Sequence, residues 1–409
     1  MARRPTTVIA GAGLAGGRAA ETLRAQGYDG RLVLIGSEPD RPYERPPLSK
    51  AYLEGRLARE RVFLRTAAWY REQAITLRLG TTVTGVDCRR RQVQLDRGRP
   101  IGYDRLLLAP GARPRRLLVP GAQLEGVVAL RTLADAERLR AAFAGRPRVV
   151  IVGAGFIGCE VAAAARRQGC PVTLLEVGAA PLAPALGPLA GAFVARLHRD
   201  HGVDLRTGES LVSLHGAERV EAVVTTSGRL LDADLVLIAV GAEPRTELAE
   251  AAGLACDGGI VVDECCRTSA ADVFAAGDAA RWWHPGLARR LRVEHYDNAQ
   301  NQGVAAALSL LGRGAPYAPI PYVWSEQYDA TLQWVGDAEG ADRTVTRGDP
   351  ASGVFSAFHL REGRVIACLA VNRFRDLAGA RRLIAGGQAV GLAQLADPDT
   401  SLRDLLRAG

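Results

Sequence analysis

Three observations in the 409-residue sequence predict an α/β protein in which one open, parallel-sheet domain is inserted in another and a smaller α+β domain follows. A β-branched apolar run that breaks into G-x-G-x-x-G and then into an Ala-rich stretch occurs twice. An apolar run that breaks into A-x-G-A-x-P also occurs twice, as two chain crossings between domains would require. Residues 321–409 contain neither pattern.

The first strand is Thr7-Val8-Ile9-Ala10. It runs into Gly11-Ala12-Gly13-Leu14-Ala15-Gly16 and an Ala-rich helix, and the next strand, from Arg31 to Ile35, closes on the acid Glu38. The second unit repeats this order with Val149-Val150-Ile151-Val152, then Gly153-Ala154-Gly155-Phe156-Ile157-Gly158, then Val172-Thr173-Leu174-Leu175 closing on Glu176. In such a Rossmann-like unit the first Gly makes a tight turn, the second lets backbone approach a pyrophosphate, and the third lets helix pack on strand. Free N–H groups and the positive dipole end of the helix then meet the phosphates, and the distal acid takes ribose hydroxyls. Two units therefore predict two dinucleotides. The matched segments Leu106-Leu107-Leu108-Ala109-Pro110-Gly111 and Leu237-Ile238-Ala239-Val240-Gly241 mark the crossings. They divide the chain into a discontinuous first domain (1–112 and 240–320), an inserted second domain (113–239) and a C-terminal α+β domain (321–409), with strand-like stretches at 331–335 and 353–358.

Composition narrows the function. With 48% hydrophobic and 23% charged residues the chain is an ordinary globular one. No apolar run approaches the roughly 18 residues of a membrane span. The start, Arg3-Arg4 leading straight into a strand, lacks an apolar leader, so a cytoplasmic location is expected. The net charge of +8 is spread over clusters such as Arg89-Arg90-Arg91, Arg113/Arg115/Arg116 and Arg289-Arg290/Arg292. These are either solvated surface or a field that steers an acidic partner; no nucleic-acid motif accompanies them. Seven cysteines without C-x-x-C spacing or His pairing disfavour a metal site or a disulfide framework. One Lys, Lys50, stands among 51 Arg. Either it survived a compositional drift by chance, or its position needs a compact ammonium that a guanidinium cannot replace.

Four segments carry a family resemblance: Arg45-Pro46-Pro47-Leu48-Ser49-Lys50, Val273-Phe274-Ala275-Ala276-Gly277-Asp278, Arg292-Val293-Glu294-His295-Tyr296-Asp297-Asn298-Ala299, and Pro321-Tyr322-Val323-Trp324-Ser325-Glu326-Gln327. In this order the chain resembles the glutathione-reductase-like flavoproteins with two dinucleotide domains, and among them the NADH:ferredoxin reductases that feed oxygenases, of the putidaredoxin, rubredoxin and biphenyl dioxygenase reductase type. The resemblance implies FAD on the first glycine unit and NADH on the second. It implies that Glu38 binds the adenosine ribose and Asp278 a flavin ribitol hydroxyl, although a G-D after a strand also resembles a helix cap. Arg45, Val83, Ala109, Arg131, Gly277 and the backbone near Tyr296 would complete the FAD set, and Gly241 the NADH set. Glu176 repels a 2′-phosphate, and no Arg follows it closely to bind one, so NADH is expected over NADPH.

In the wider flavoprotein class a Lys beside the flavin pairs with a Glu on the nicotinamide-domain helix, which here implies Lys50 with Glu160. The alternative for Glu160 is a simple helix-dipole contact. No Cys lies between Glu38 and Glu60, where disulfide reductases of the class carry C-x4-C. Electrons would then leave singly to an acidic iron–sulfur ferredoxin or rubredoxin serving a cytochrome P450 or another oxygenase, with Trp324 on the exit side. Val323, where the family usually has Phe, and Tyr296, where it often has Trp, depart from the pattern and leave the acceptor's identity open. Two other functions fit the same motifs: an NADH oxidase or monodehydroascorbate-type reductase, and a redox-sensing binding protein of the apoptosis-inducing-factor type.

Overall fold

A computed structural model describes residues 4–405, so the expectation that begins at Arg3 falls partly outside the described residues. The chain separates into two compact units. Unit 1 comprises Met1–Arg45, Ala58–Arg113 and Ala242–Pro319; unit 2 comprises Pro46–Leu57, Pro114–Gly241 and Ile320–Gly409.

Unit 1 is built on five parallel strands in the order Val273–Ala275, Arg105–Leu108, Thr6–Ala10, Arg31–Ile35, Ile75–Arg78. Strand Thr6–Ala10 is buried along its whole length. A parallel sheet is covered on both faces, so its central strands read as unbroken apolar runs rather than as alternation. Val8 and Ala10 enter one core with Leu106, Leu108 and Trp282, while Ile9 enters the other with Leu32, Leu34 and Leu23. Helices Leu14–Ala25 and Tyr296–Leu310 meet so closely that a Cβ on Gly303 would stand 2.4 Å from the Ala15 carbonyl oxygen.

Unit 2 holds a second parallel sheet, in the order Asp204–Thr207, Val172–Glu176, Val149–Val152, Leu235–Ile238, Val127–Val128. Its C-terminal part is an antiparallel sheet ordered Tyr322–Gln327, Ala330–Gly336, Arg364–Val371, Val354–Arg361, Arg343–Asp349. Helix Phe374–Gly386 covers one face of it through Leu377, Ala380 and Leu383, spaced one turn apart. The stretches read as strands at 331–335 and 353–358 fall in Ala330–Gly336 and Val354–Arg361, the second beginning one residue later because Gly353 turns at φ +74°. The observed class is thus the expected one, α/β with two Rossmann-like sheets and an α+β C-terminal part.

Position along the chain assigns residues 46–57 to the first domain, yet they cluster with unit 2. Leu48, Tyr52 and Leu53 are almost fully buried there. The Tyr52 hydroxyl donates to Glu137 at 3.1 Å, and the Gln168 amide donates to the Leu53 carbonyl. Burial of side chains this size contributes about 2 kcal/mol each, enough to override adjacency in sequence.

Candidate dinucleotide sites and a buried ion pair

Each parallel sheet delivers one glycine turn at the carboxyl end of its central strand. Gly11 and Gly153 sit at φ +125° and +98°, and a Cβ on them would stand 1.9 Å from the Ala109 carbonyl oxygen and 2.5 Å from that of Ala239. Both positions therefore need glycine. On the third glycines, Gly16 and Gly158, a Cβ would stand 1.9 Å from the carbonyl oxygens of Gly11 and Gly153. The middle glycines differ: a Cβ on Gly13 or Gly155 would meet nothing within 4 Å. These two residues are the N-caps of helices Leu14–Ala25 and Phe156–Arg167, and no side chain caps either helix. Leu14 and Ala15 begin one helix, Phe156 and Ile157 the other. Open space, first-turn N–H groups and the positive end of a helix dipole together make the donor set of a pyrophosphate, so the residues present fit a dinucleotide at each turn.

The distal acids are already held in place. Glu38 accepts from the Tyr43 hydroxyl and, at 2.8 Å, from Arg45. Glu176, the last residue of its strand, accepts the Ala154 N–H at 2.8 Å on Oε2 and the Gly178 N–H at 2.7 Å on Oε1. Each oxygen keeps a second lone pair for a ribose hydroxyl. After strand Val273–Ala275 the chain turns at Gly277, φ +84°, whose N–H donates to Gln302 Oε1 at 2.8 Å, and Asp278 follows. Gln302 is fully buried, and its Nε2 has no hydrogen-bond partner among the described residues. Such a donor awaits an acceptor that a bound group can supply. Sequence reasoning missed Gln302, whose only signal was an amide within an Ala-rich helix.

The remaining expected residues occupy mixed positions. Tyr296 opens helix Tyr296–Leu310 and its hydroxyl donates to Glu44 at 2.9 Å; burial and that carboxylate push its phenol above the ordinary value. Val83 starts strand Val83–Asp87 and is half-buried, and Ala109 is buried behind the Gly11 turn. Arg131 donates its backbone N–H to Asp135 just ahead of helix Leu133–Phe143. Gly241, φ +103°, again has open space where a Cβ would be. Of the residues expected around FAD, Lys50 and Arg131 lie in unit 2 and the others in unit 1.

Glu160 projects from helix Phe156–Arg167 and is 4% exposed. Its Oε2 accepts from Lys50 Nζ at 2.7 Å and from Ser49 Oγ at 2.5 Å, and its Oε1 accepts from Ser325 Oγ at 2.8 Å. The helix-dipole alternative thus gives way to a specific pair. A buried carboxylate tolerates desolvation only when paired and hydrogen-bonded, and removing one partner of such a pair costs about 3–5 kcal/mol. Ser49 and Ser325 complete this shell; both lay within the resembling segments, but small hydroxyls carry no pattern of their own. Trp324 stacks on Tyr322 with ring centroids 5.9 Å apart, and Arg381 lies over Tyr322 at 4.5 Å. The thiol nearest in sequence, Cys159, is fully buried, donates to the Ala154 carbonyl, and is pushed well above the ordinary value by burial and by Glu160. It has no thiolate to offer.

Two glycine cradles with their distal acids and a buried Lys–Glu pair define the class of two-nucleotide oxidoreductases. The chain belongs to the pyridine nucleotide-disulphide oxidoreductase family, which matches residues 5–303, and a reductase C-terminal domain matches residues 322–406. It is 44% identical over 403 residues to the anthranilate 1,2-dioxygenase system ferredoxin–NAD(+) reductase component of Burkholderia cepacia, spanning 98% of each chain. It is also 42% identical to rhodocoxin reductase of Rhodococcus erythropolis, over 97% of this chain and 93% of that one. The crystal structure of the covalent putidaredoxin reductase–putidaredoxin complex superposes with a TM-score of 0.96 at 39% identity, covering 99% of both chains.

Proposed function

We propose that the protein is an FAD-dependent NADH:ferredoxin reductase that takes hydride from NADH and passes single electrons to a small acidic iron–sulfur protein, a ferredoxin or rubredoxin, serving an oxygenase such as a cytochrome P450. Bound FAD supplies the step from two-electron to one-electron chemistry. Gly11, Gly13, Leu14, Ala15 and Gly16 cradle the FAD pyrophosphate, and Glu38 with Asp278 takes its hydroxyls. Gly153, Gly155, Phe156, Ile157, Gly158 and Gly241 hold NADH, with Glu176 on its ribose excluding a 2′-phosphate. Lys50, Glu160 and Trp324 form the catalytic set: Glu160 holds the ammonium in place through its 2.7 Å contact, and Trp324 lies on the electron exit. On this reading the FAD domain is 1–112 with 240–320, the NADH domain 113–239, and residues 321–409 face the acceptor.

The observation that carries the reading is the open backbone cradle kept at both glycine turns in a chain whose buried cysteines offer no thiolate relay. Likeness over nearly the full length to ferredoxin–NAD(+) reductases supports the choice of acceptor. We place the enzyme in the cytoplasm; among the described residues no helix is long and apolar enough to cross a membrane. The test is NADH-dependent cytochrome c reduction with and without an added ferredoxin. Ferredoxin is expected to raise the rate at least tenfold. An unchanged rate rejects the proposal, and oxygen consumption matching turnover without any protein acceptor points to an NADH oxidase instead.

A further inference from the structure

The ion pair continues into a chain of side chains that the mechanism above leaves unused. Ser325 Oγ, which donates to Glu160, accepts from Gln327 Nε2 at 3.1 Å. Gln327 Oε1 stands 3.0 Å from His198 Nε2, and His198 Nδ1 stands 3.3 Å from the Tyr328 hydroxyl. Ser325, Gln327 and His198 are each 1% exposed or less. A carbonyl oxygen only accepts, so His198 carries its proton on Nε2; its Nδ1 then accepts, and Tyr328 donates. Every link points the same way: Tyr328 O–H to His198, His198 N–H to Gln327, Gln327 N–H to Ser325, Ser325 O–H to Glu160. Outside the core the Tyr328 ring stacks on His201, centroids 3.6 Å apart, in a surface pocket lined also by Arg166, Arg167 and Asp329.

Two further features mark the chain as built rather than incidental. Tyr328 sits at φ +54° in the two-residue turn between strands Tyr322–Gln327 and Ala330–Gly336, a conformation that glycine adopts freely and a tyrosine adopts at a cost. A ring is kept where a hydrogen atom would relieve the backbone. His198 is also held neutral, its imidazole pushed down to about 4 chiefly by burial, with neighbouring His201 acting in the same direction, so the donor order persists at neutral pH.

We propose that Tyr328, His198 and Gln327 are positioning residues for Glu160, and through Glu160 for the Lys50 ammonium, tying the geometry of the hydride-transfer site to a surface pocket. The proposal rests on the reading that the Lys50–Glu160 pair serves flavin reduction. Each link orients the next, since a chain of aligned donors polarises its members cooperatively and ends on a charge, where hydrogen bonds are strongest.

The test uses the FAD-loaded enzyme in stopped flow with NADH, together with the flavin midpoint potential. Gln327→Met keeps the volume and removes both hydrogen bonds. It is expected to slow flavin reduction at saturating NADH about three- to tenfold, the span of one net hydrogen bond, and to shift the potential while leaving the KM for NADH unchanged. Tyr328→Phe deletes one hydroxyl, retains the stack on His201 and should slow reduction about threefold; it decides the matter if larger changes impair folding. In a Ser325→Ala background, which cuts the chain next to Glu160, neither substitution should have any further effect. Glu160→Gln separates the two readings. If it slows reduction while Gln327→Met and Tyr328→Phe match wild type in rate and potential, the positioning chain is rejected and the ion-pair reading stands. If Glu160→Gln itself matches wild type, both are overturned.

Discussion

At the scale of single residues, the lone Lys among 51 Arg is explained by what surrounds it: a carboxylate that is 4% exposed and already receives two serine hydroxyls. An ammonium closes that shell with a single point contact, whereas a guanidinium presents a planar fork that this acceptor geometry cannot match. Lys50→Arg is therefore expected to leave the fold intact and to lower flavin reduction by NADH at least tenfold; wild-type flavin content and rate would return the residue to compositional chance. His198 supplies an acid limb to stability. Its folded value of about 4 lies below the ordinary 6.5, so between these values the unfolded chain binds a proton that the native state refuses. The stability it contributes is complete above about pH 6.5 and is lost as pH falls toward 4, at about 1.4 kcal/mol per pH unit and about 3 kcal/mol in all. Denaturant titrations of wild type and His198→Gln should diverge in slope across that window and run parallel above it. Lys50 was legible in the sequence as the one Lys among 51 Arg, and Glu160 as the partner that the resemblance implies for it. Ser325, Gln327 and His198 were not, because a buried polar residue differs from a solvated one only through partners more than a hundred positions away.

At the scale of elements, the strand–turn–helix units were the most legible part of the molecule. Their glycines answer to three separate steric demands, of which the sequence displays only the residue type. Gly158 abuts a carbonyl oxygen, while Gly155 faces open space at an ordinary negative φ. Gly155→Val is thus expected to fold normally, keep FAD and raise the KM for NADH at least tenfold, because the new side chain fills the pyrophosphate's place. Gly158→Ala should instead lower the stability of unit 2 by about 1–3 kcal/mol through overpacking. Thermal melts and KM values of the two variants, measured side by side, check the contrast; equal effects would contradict it. What pattern could not reveal is the allegiance of residues 46–57, since a short 3-10 segment has no periodicity and its place was decided by Leu48, Tyr52 and Leu53.

At the scale of the whole molecule, a net charge of +8 was countable in the sequence, but its distribution was not. The basic clusters singled out there are partly neutralised: Arg91 pairs with Asp272, Arg113 with Glu243 and Glu247, and Arg292 with Glu294. Steering of an acidic acceptor then rests on the residual field, which acts over roughly 8–10 Å at moderate salt. Ferredoxin reduction is expected to slow severalfold between low and high ionic strength while flavin reduction by NADH stays constant; a salt-independent rate would remove steering from the account. The sheet order of unit 1 also has a consequence for biosynthesis. Strand Arg105–Leu108 takes its second neighbour from Val273–Ala275, which leaves the ribosome only after the whole parallel sheet of unit 2 has been made. At about 5–20 residues per second the nascent chain carries that unpaired edge for roughly ten to thirty seconds. The parallel sheet of unit 2 therefore has its complete strand set first, and the edge of Arg105–Leu108 is where a chaperone would have to shield the unfinished protein.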